Sequence, residues 1–362
     1  MNSSTYNRLN LRWMGQTVVA DIDESIDIHP ILNELTAYFK NCEGASDIEP
    51  EIIVQRRSDL HAPDGYGLDA TSTPFRLYFG EEGRAQAGSD KLTIVHHPHR
   101  GRIYLISPDH VEYLVQGETL EDKLSIVRLL RERLVQKVLV AGGAKVHAAA
   151  VQVQGYGLLL IGPSGCGKTT VLLRLLEHNR TALVGGDRVV VVDTDDGLAA
   201  AGSPIALQIG VDLASNIRTL AKFHQAAAHD SSPKSMRAEG NPFRKISMRP
   251  VELAKAMGRE LVPTSSLNFV IVPAIGDRAP TSMSVVPLRF RERQQLLMTE
   301  ILNNDPAFPA AVNGLTESAP PPDLISKLLN LPWLKVFGDF QDASLAKRLI
   351  SAIDHRMGST NV

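Results

Sequence analysis

Gly162-Pro163-Ser164-Gly165-Cys166-Gly167-Lys168-Thr169 matches G-x-x-x-x-G-K-[ST] in full, between the apolar run Leu158-Leu159-Leu160-Ile161 and the leucine-rich stretch Lys168–Glu177. This setting predicts a buried strand over 158–161, a loop over 162–167 and a helix over 168–177. Each residue type in the loop has a physical reason. Glycines at 165 and 167 let the backbone fold closely round a phosphate, in conformations that a Cβ resists. Successive N–H groups then point into one concavity, and the positive end of the helix adds to it. In that geometry Lys168 reaches β- and γ-phosphates and the Thr169 hydroxyl ligands Mg²⁺. Four fixed positions arise by chance in roughly one chain in a hundred of this length, so the strand before and the helix after are what make the motif informative. The expected nucleotide contacts are Gly162, Ser164, Gly165, Cys166, Gly167, Lys168, Thr169 and Thr170, with ATP and Mg²⁺ as the ligands.

Upstream of the loop, His147–Val153 reads as a strand and Gly155-Tyr156-Gly157 as a turn. Downstream, Ala182–Val184 reads as a strand ending at Gly185-Gly186-Asp187, and Val189–Val192 as another, followed by a hairpin turn over Asp193–Gly197. A carboxylate is needed beside Thr169 to hold the metal. Asp187 is preferred over Asp193, whose Asp-Thr-Asp-Asp-Gly surroundings have the composition of a solvated turn. Later strands are expected over Leu267–Val272, Met283–Val286 and Leu334–Phe337, and later helices over Arg291–Leu302 and Ala343–Ile353. Mixed strands and helices round a phosphate loop make an α/β domain. Before it, Leu120, Leu124, Val127, Leu130, Leu134 and Val138 recur at helical spacing after a Thr119/Asp122 capping pair, and Gly142-Gly143 ends the pattern. The N-terminal part reads as a smaller α+β unit. Its elements are a strand over Gln16–Asp23, a helix over Pro30–Asn41, loop over Glu43–Thr73, and short strands over Phe75–Phe79, Lys91–His96, Arg102–Ser107 and Val111–Val115. The expected boundary lies near Gly117, giving domains 1–118 and 119–362.

Three segments together resemble one known family. They are Val146-His147-Ala-Ala-Ala-Val151, Gly155-Tyr-Gly157 running on through the loop to Thr170, and Leu183-Val-Gly-Gly-Asp187. In order and interval they resemble the catalytic domain of the HPr kinase/phosphorylase family, which is related in fold to phosphoenolpyruvate carboxykinase. The similarity covers residues 146–195; residues 1–118 match nothing. The resemblance implies an α/β P-loop nucleotide-binding domain of that type and an ATP-dependent serine kinase. Lys168 and Thr169 would bind phosphates and Mg²⁺, Asp187 would sit near the metal, and His147 would line the site; His147, Lys168 and Asp187 are the catalytic candidates. The family ordinarily has two adjacent aspartates here, the first a general base, and this chain has Gly186 in that first position. His147 is then either a substitute base or a hydrogen-bonded core histidine. The family's protein-recognition motif is not evident, so the chain looks like a diverged relative acting on another acceptor. A hydroxyl of a peptide or protein, a natural-product precursor peptide among them, is expected; a small-molecule acceptor is the alternative.

Composition sets the outer limits. The 362 residues carry 38 Lys+Arg against 40 Asp+Glu and are 43% hydrophobic, which excludes whole-chain disorder. The near-neutral total divides into 10 basic and 18 acidic residues over 1–118, and 28 basic and 22 acidic over 119–362. A mildly cationic half suits an anionic ligand and is too weak for nucleic acid. No apolar run approaches a membrane span, no signal peptide is visible, and two cysteines, Cys42 and Cys166, make no disulfide framework; a cytoplasmic location is expected. The oligomeric state is open, a homo-oligomer included, as is the role of residues 1–118, substrate recognition or packing. His96, His97 and His99 lack the further ligands of a zinc site. Residues 216–249 hold seven basic side chains against two acidic ones. They read as a solvated connection, or as a lid whose Arg244 or Arg249 stabilises charge on the transferred group. Two other classes compete with a kinase. One is a transporter-type ATPase, against which stand the lack of an LSGGQ-like signature and of a Glu after either candidate Asp. The other is a nucleotide-binding regulator without catalysis.

Overall fold

The computed structural model describes residues 5–42, 48–57, 72–76, 82–87, 93–97, 102–107, 110–115, 119–217, 219–221, 245–275, 284–302, 319–339 and 344–359. The chain divides into two compact units; the first takes Met1–Ala141 with Asn303–Ala319 and the second takes Gly142–Leu302 with Pro320–Val362.

In the first unit the described strands are β1 (Tyr6–Trp13), β2 (Gln16–Asp23), β3 (Lys40–Asn41), β4 (Ile52–Arg56), β5 (Thr73–Arg76), β6 (Glu82–Ala87), β7 (Thr93–His97), β8 (Arg102–Ile106) and β9 (Val111–Val115). They pair in the order β3-β1-β2-β4-β9-β8-β7-β6-β5. The β2–β4 and β4–β9 pairs are parallel and the other pairs antiparallel. Leu9, Leu11 and Trp13 alternate with more exposed residues along β1, the period-2 pattern of a strand with one buried face. Among the described residues two helices join the sheet, α1 (His29–Leu35) and α2 (Leu120–Val140), and α2 packs against both β2 and α1.

Three sequence expectations change here. Helix α1 stops at Leu35 rather than Asn41: Lys40 and Asn41 instead pair with β1 as a strand, and Tyr38 and Phe39 are buried, Phe39 meeting Trp13 edge-on with ring centroids 5.4 Å apart. Strand β4 lies inside the stretch 43–73 expected as loop. The boundary between units falls after α2 rather than at 118/119, because α2 is tied to the first sheet. Arg102 on β8 pairs with Asp122 at 2.9 Å, and Glu51 beside β4 takes both Arg133 and Lys137.

The second unit is an α/β fold. Its elements are β10 (Ala144–Val146), β11 (Ala148–Val153), β12 (Tyr156–Ile161), α3 (Lys168–Glu177), β13 (Thr181–Gly185), β14 (Val189–Thr194), β15 (Gly197–Ala201), β16 (Leu207–Gly210), α4 (Val211–Asn216), β17 (Lys245–Met248), α5 (Pro250–Met257), β18 (Glu260–Leu261), β19 (Thr264–Ile275), β20 (Ser284–Pro287), α6 (Phe290–Glu300), α7 (Pro322–Asn330), β21 (Trp333–Gly338) and α8 (Leu345–Ser359). The main sheet runs β10-β14-β15-β19-β12-β11-β13-β18, with β21 on β19 and β20 on β21; β16 and β17 form a separate pair. Strand β12 is parallel to β19 and antiparallel to β11, which is antiparallel to β13. The sheet is buried on both faces. Leu158, Leu160, Phe269 and Ile271 pack with α3, α5 and α8, whereas Leu159, Ile161, Val270 and Val272 pack with α6 and α7. Burial on both faces is why Leu158–Ile161 is a continuous apolar run instead of an alternating one. Among the described residues no helix is long and apolar enough to cross a membrane.

Candidate functional site

The loop between β12 and α3 has the backbone that its glycines foretell. Gly162, Gly165 and Gly167 take φ of +152°, +84° and +104°. A Cβ on Gly162 would stand 2.8 Å from Cys166 Sγ, and one on Gly167 would stand 2.6 Å from Ile275 Cβ. Gly165 has open space, so its requirement is conformational alone. The loop is pinned to the end of β19, where Ile275 N–H donates to Cys166 O at 3.0 Å. Lys168 is buried, and its ammonium donates to the carbonyls of Gly162 and, at 3.4 Å, Pro163. Gly167 is the N-cap of α3 and offers no side-chain cap, so no side chain of the cap takes up the first helical N–H groups. A helix start whose first N–H groups have no side-chain cap suits an anion. Ser164 is exposed, and Thr169 and Thr170 are half-buried.

The sheet brings two more residues to this end. In the β11–β12 pair Ala148 faces Ile161, so His147 comes level with Gly162. Strands β12 and β13 are both antiparallel to β11, hence parallel to each other, and Asp187 follows the carboxyl end of β13. The site thus lies outside the carboxyl ends of parallel strands, where open α/β sheets take ligands. The Asp187 carboxylate is 44% exposed, its Oδ1 lies 3.7 Å from His147 Nε2, and its Oδ2 lies 3.8 Å from Arg188 Nε. Asp193 sits in the β14–β15 hairpin and pairs with Lys327.

Sequence reasoning missed Glu300, the last residue of α6. Its carboxylate, 8% exposed, meets His147 Nδ1 at 2.7 Å. Its carbonyl accepts from His147 N–H at 2.8 Å, and Leu302 N–H donates to Lys145 O at 2.8 Å. The chain leaving α6 is therefore bridged to the strand edge at Val146. Nothing in the local sequence marks this partner, 153 residues away.

The remaining sequence candidates add no further group to this cluster. Burial pushes the Cys166 thiol up despite the Lys168 ammonium, which leaves it a thiol at neutral pH. Gly186 has no room for a side chain: a Cβ there would stand 2.0 Å from Leu207 Cγ. Arg249 caps α5 and pairs with Glu252, and Arg244 lies outside the described residues. His96 is buried on β7, while His99 lies outside the described residues. Among the described residues no group of three or more His, Cys, Asp or Glu could hold a metal ion.

No protein-family profile matches the chain, and no curated protein does. Among solved structures it is similar to the Hpr(Ser) kinase/phosphatase from Coxiella burnetii at 10% identity, over 60% of this chain and 99% of that one, with a TM-score of 0.30. This is a weak, distant likeness of fold, and it says nothing about the site.

Proposed function

We propose that the chain is an ATP-dependent phosphotransferase of the HPr kinase-like type, moving the γ-phosphoryl group to a hydroxyl of a peptide or protein. The observation that carries this reading is the loop 162–167, with its three glycines at positive φ and Lys168 drawn onto its carbonyls. A triphosphate exchanges those carbonyls for phosphate oxygens at the ammonium, at little cost, because the lysine is already held over the loop. The close approaches at Gly162 and Gly167 keep the cradle free of side chains.

Thr169 and Asp187 are the residues that would hold Mg²⁺. Magnesium ordinarily uses one or two carboxylates with phosphates and water, so a site without a three-residue cluster fits it. The ion supplies neutralisation of charge on the phosphates. The chain's own groups do the rest. Backbone N–H groups and Lys168 hold the phosphates, and His147 Nε2 takes the proton given up by the acceptor hydroxyl. His147 fills this role because Leu207 occupies the space that an aspartate at 186 would need.

Incubation with γ-labelled ATP and peptides encoded beside the gene tests the reading. Label in a peptide supports it; free phosphate alone points to an ATPase, and nucleotide-dependent stabilisation without turnover to a regulator. Label in small hydroxyl compounds but no peptide would keep the phosphotransferase and change its acceptor.

A further inference from the structure

We infer that Glu300 is the positioning residue of His147, fixing both the orientation of the imidazole and the nitrogen that carries its proton. The consequence for turnover rests on the phosphotransferase reading; the placement of the proton does not. An ionised carboxylate only accepts hydrogen bonds, so contact at 2.7 Å puts the ring proton on Nδ1. The lone pair of Nε2 is then turned toward the side where Asp187 Oδ1 stands 3.7 Å away, too far for a hydrogen bond. Glu300 is suited to this task. Its side chain is nearly buried, and its own carbonyl holds the backbone of His147 at 2.8 Å, so ring and main chain share one anchor. A buried carboxylate behind a histidine whose far nitrogen faces the site is how imidazoles are oriented and their tautomer fixed, in metal sites and in nucleophilic triads alike.

The test has a spectroscopic and a kinetic arm, both on the full chain. Nitrogen-15 spectra of the neutral ring should show the His147 proton on Nδ1, with the signal assigned by its loss in His147→Ala. Glu300→Ala should move that proton largely to Nε2. A wild-type ring protonated on Nε2 overturns the inference. In the kinetic arm, Glu300→Ala should lower kcat about 10- to 100-fold with KM for ATP within about twofold. In a His147→Ala background it should cost less than about twofold, because the two residues act as one unit. A full additional loss in that background, or a raised KM with kcat unchanged, overturns it too. Should Glu300→Ala fail to fold, Glu300→Gln keeps the volume, and its rate should follow the fraction of ring carrying the proton on Nδ1; a full rate with that proton lost is fatal. A chain that binds Mg-ATP and labels no acceptor defeats the phosphotransferase reading but leaves the spectra to decide about Glu300.

Discussion

Leu207 fills the space beside position 186, and that decides what a residue there can do. The Cγ and both methyl carbons of its side chain would lie within 2.4 Å of a Cβ on Gly186, and Leu207 is itself 1% exposed. Gly186→Asp therefore forces Leu207 out of the core or shifts the end of β13. It should destabilise the protein by about 1–3 kcal/mol, the ordinary cost of overpacking, and should not raise transfer to a hydroxyl. Urea denaturation and label transfer, measured together, check both halves. Lys168→Ala tests the loop itself: calorimetry should register loss of Mg-ATP binding with stability little changed, and undiminished binding would remove the phosphate site. At this scale legibility followed sequence distance. The loop glycines and Lys168 lie within one short motif, and Asp187 was separable from Asp193 by turn composition. Glu300 was invisible because only the folded sheet edge at Val146 brings it to His147.

Among elements, α2 and α3 were the most legible, α2 because its leucines and valines recur at helical spacing behind a Thr119 cap and α3 because the loop motif announces its start, although both are buried well beyond a single stripe. Strand β4 was hidden in a polar stretch because only Ile52 and Val54 of its five residues are buried. Likewise, α5 was missed behind the basic run that precedes it. Helix α2 also shows how its start is held. The Thr119 hydroxyl accepts from Asp122 N–H at 3.2 Å and donates to the Asp122 carboxylate at 2.8 Å. That carboxylate also takes Arg102, whose side chain is 6% exposed. Thr119→Ala loses a cap and should cost about 1 kcal/mol. Asp122→Ala leaves the Arg102 guanidinium buried without its carboxylate and should cost about 3–5 kcal/mol, the penalty of breaking a buried pair from one side. Denaturant midpoints of the two variants should differ in that order; equal midpoints would mean that the cap, not the ion pair, holds the helix.

On the scale of the whole molecule, each unit carries one buried tryptophan, Trp13 at 3% exposure in the first and Trp333 at 1% in the second. Trp333→Phe therefore leaves a fluorescence signal from the first unit alone. That unit holds His96 on β7, 5% exposed, between Arg84 on β6 and Ile103 on β8. Burial lowers the His96 imidazole from its ordinary 6.5, so the folded unit resists a proton that the unfolded chain accepts. Above about pH 7.5 both states are neutral there and the contribution is constant. As pH falls through 6.5 the unfolded state binds more protons, and stability declines until the folded-state value is passed. In the Trp333→Phe protein the urea midpoint read from Trp13 should accordingly fall between pH 7.5 and 5, and adding His96→Gln should flatten that slope whatever it does to the midpoint at pH 8. A slope that survives His96→Gln would assign the acid sensitivity to another group. The Asp23 carboxyl is not that group: burial pushes it up, but hydrogen bonds from Ser25 and Arg56, with the Arg56 charge, together hold it below its ordinary 3.8, so its own loss of stability begins only at more acid pH.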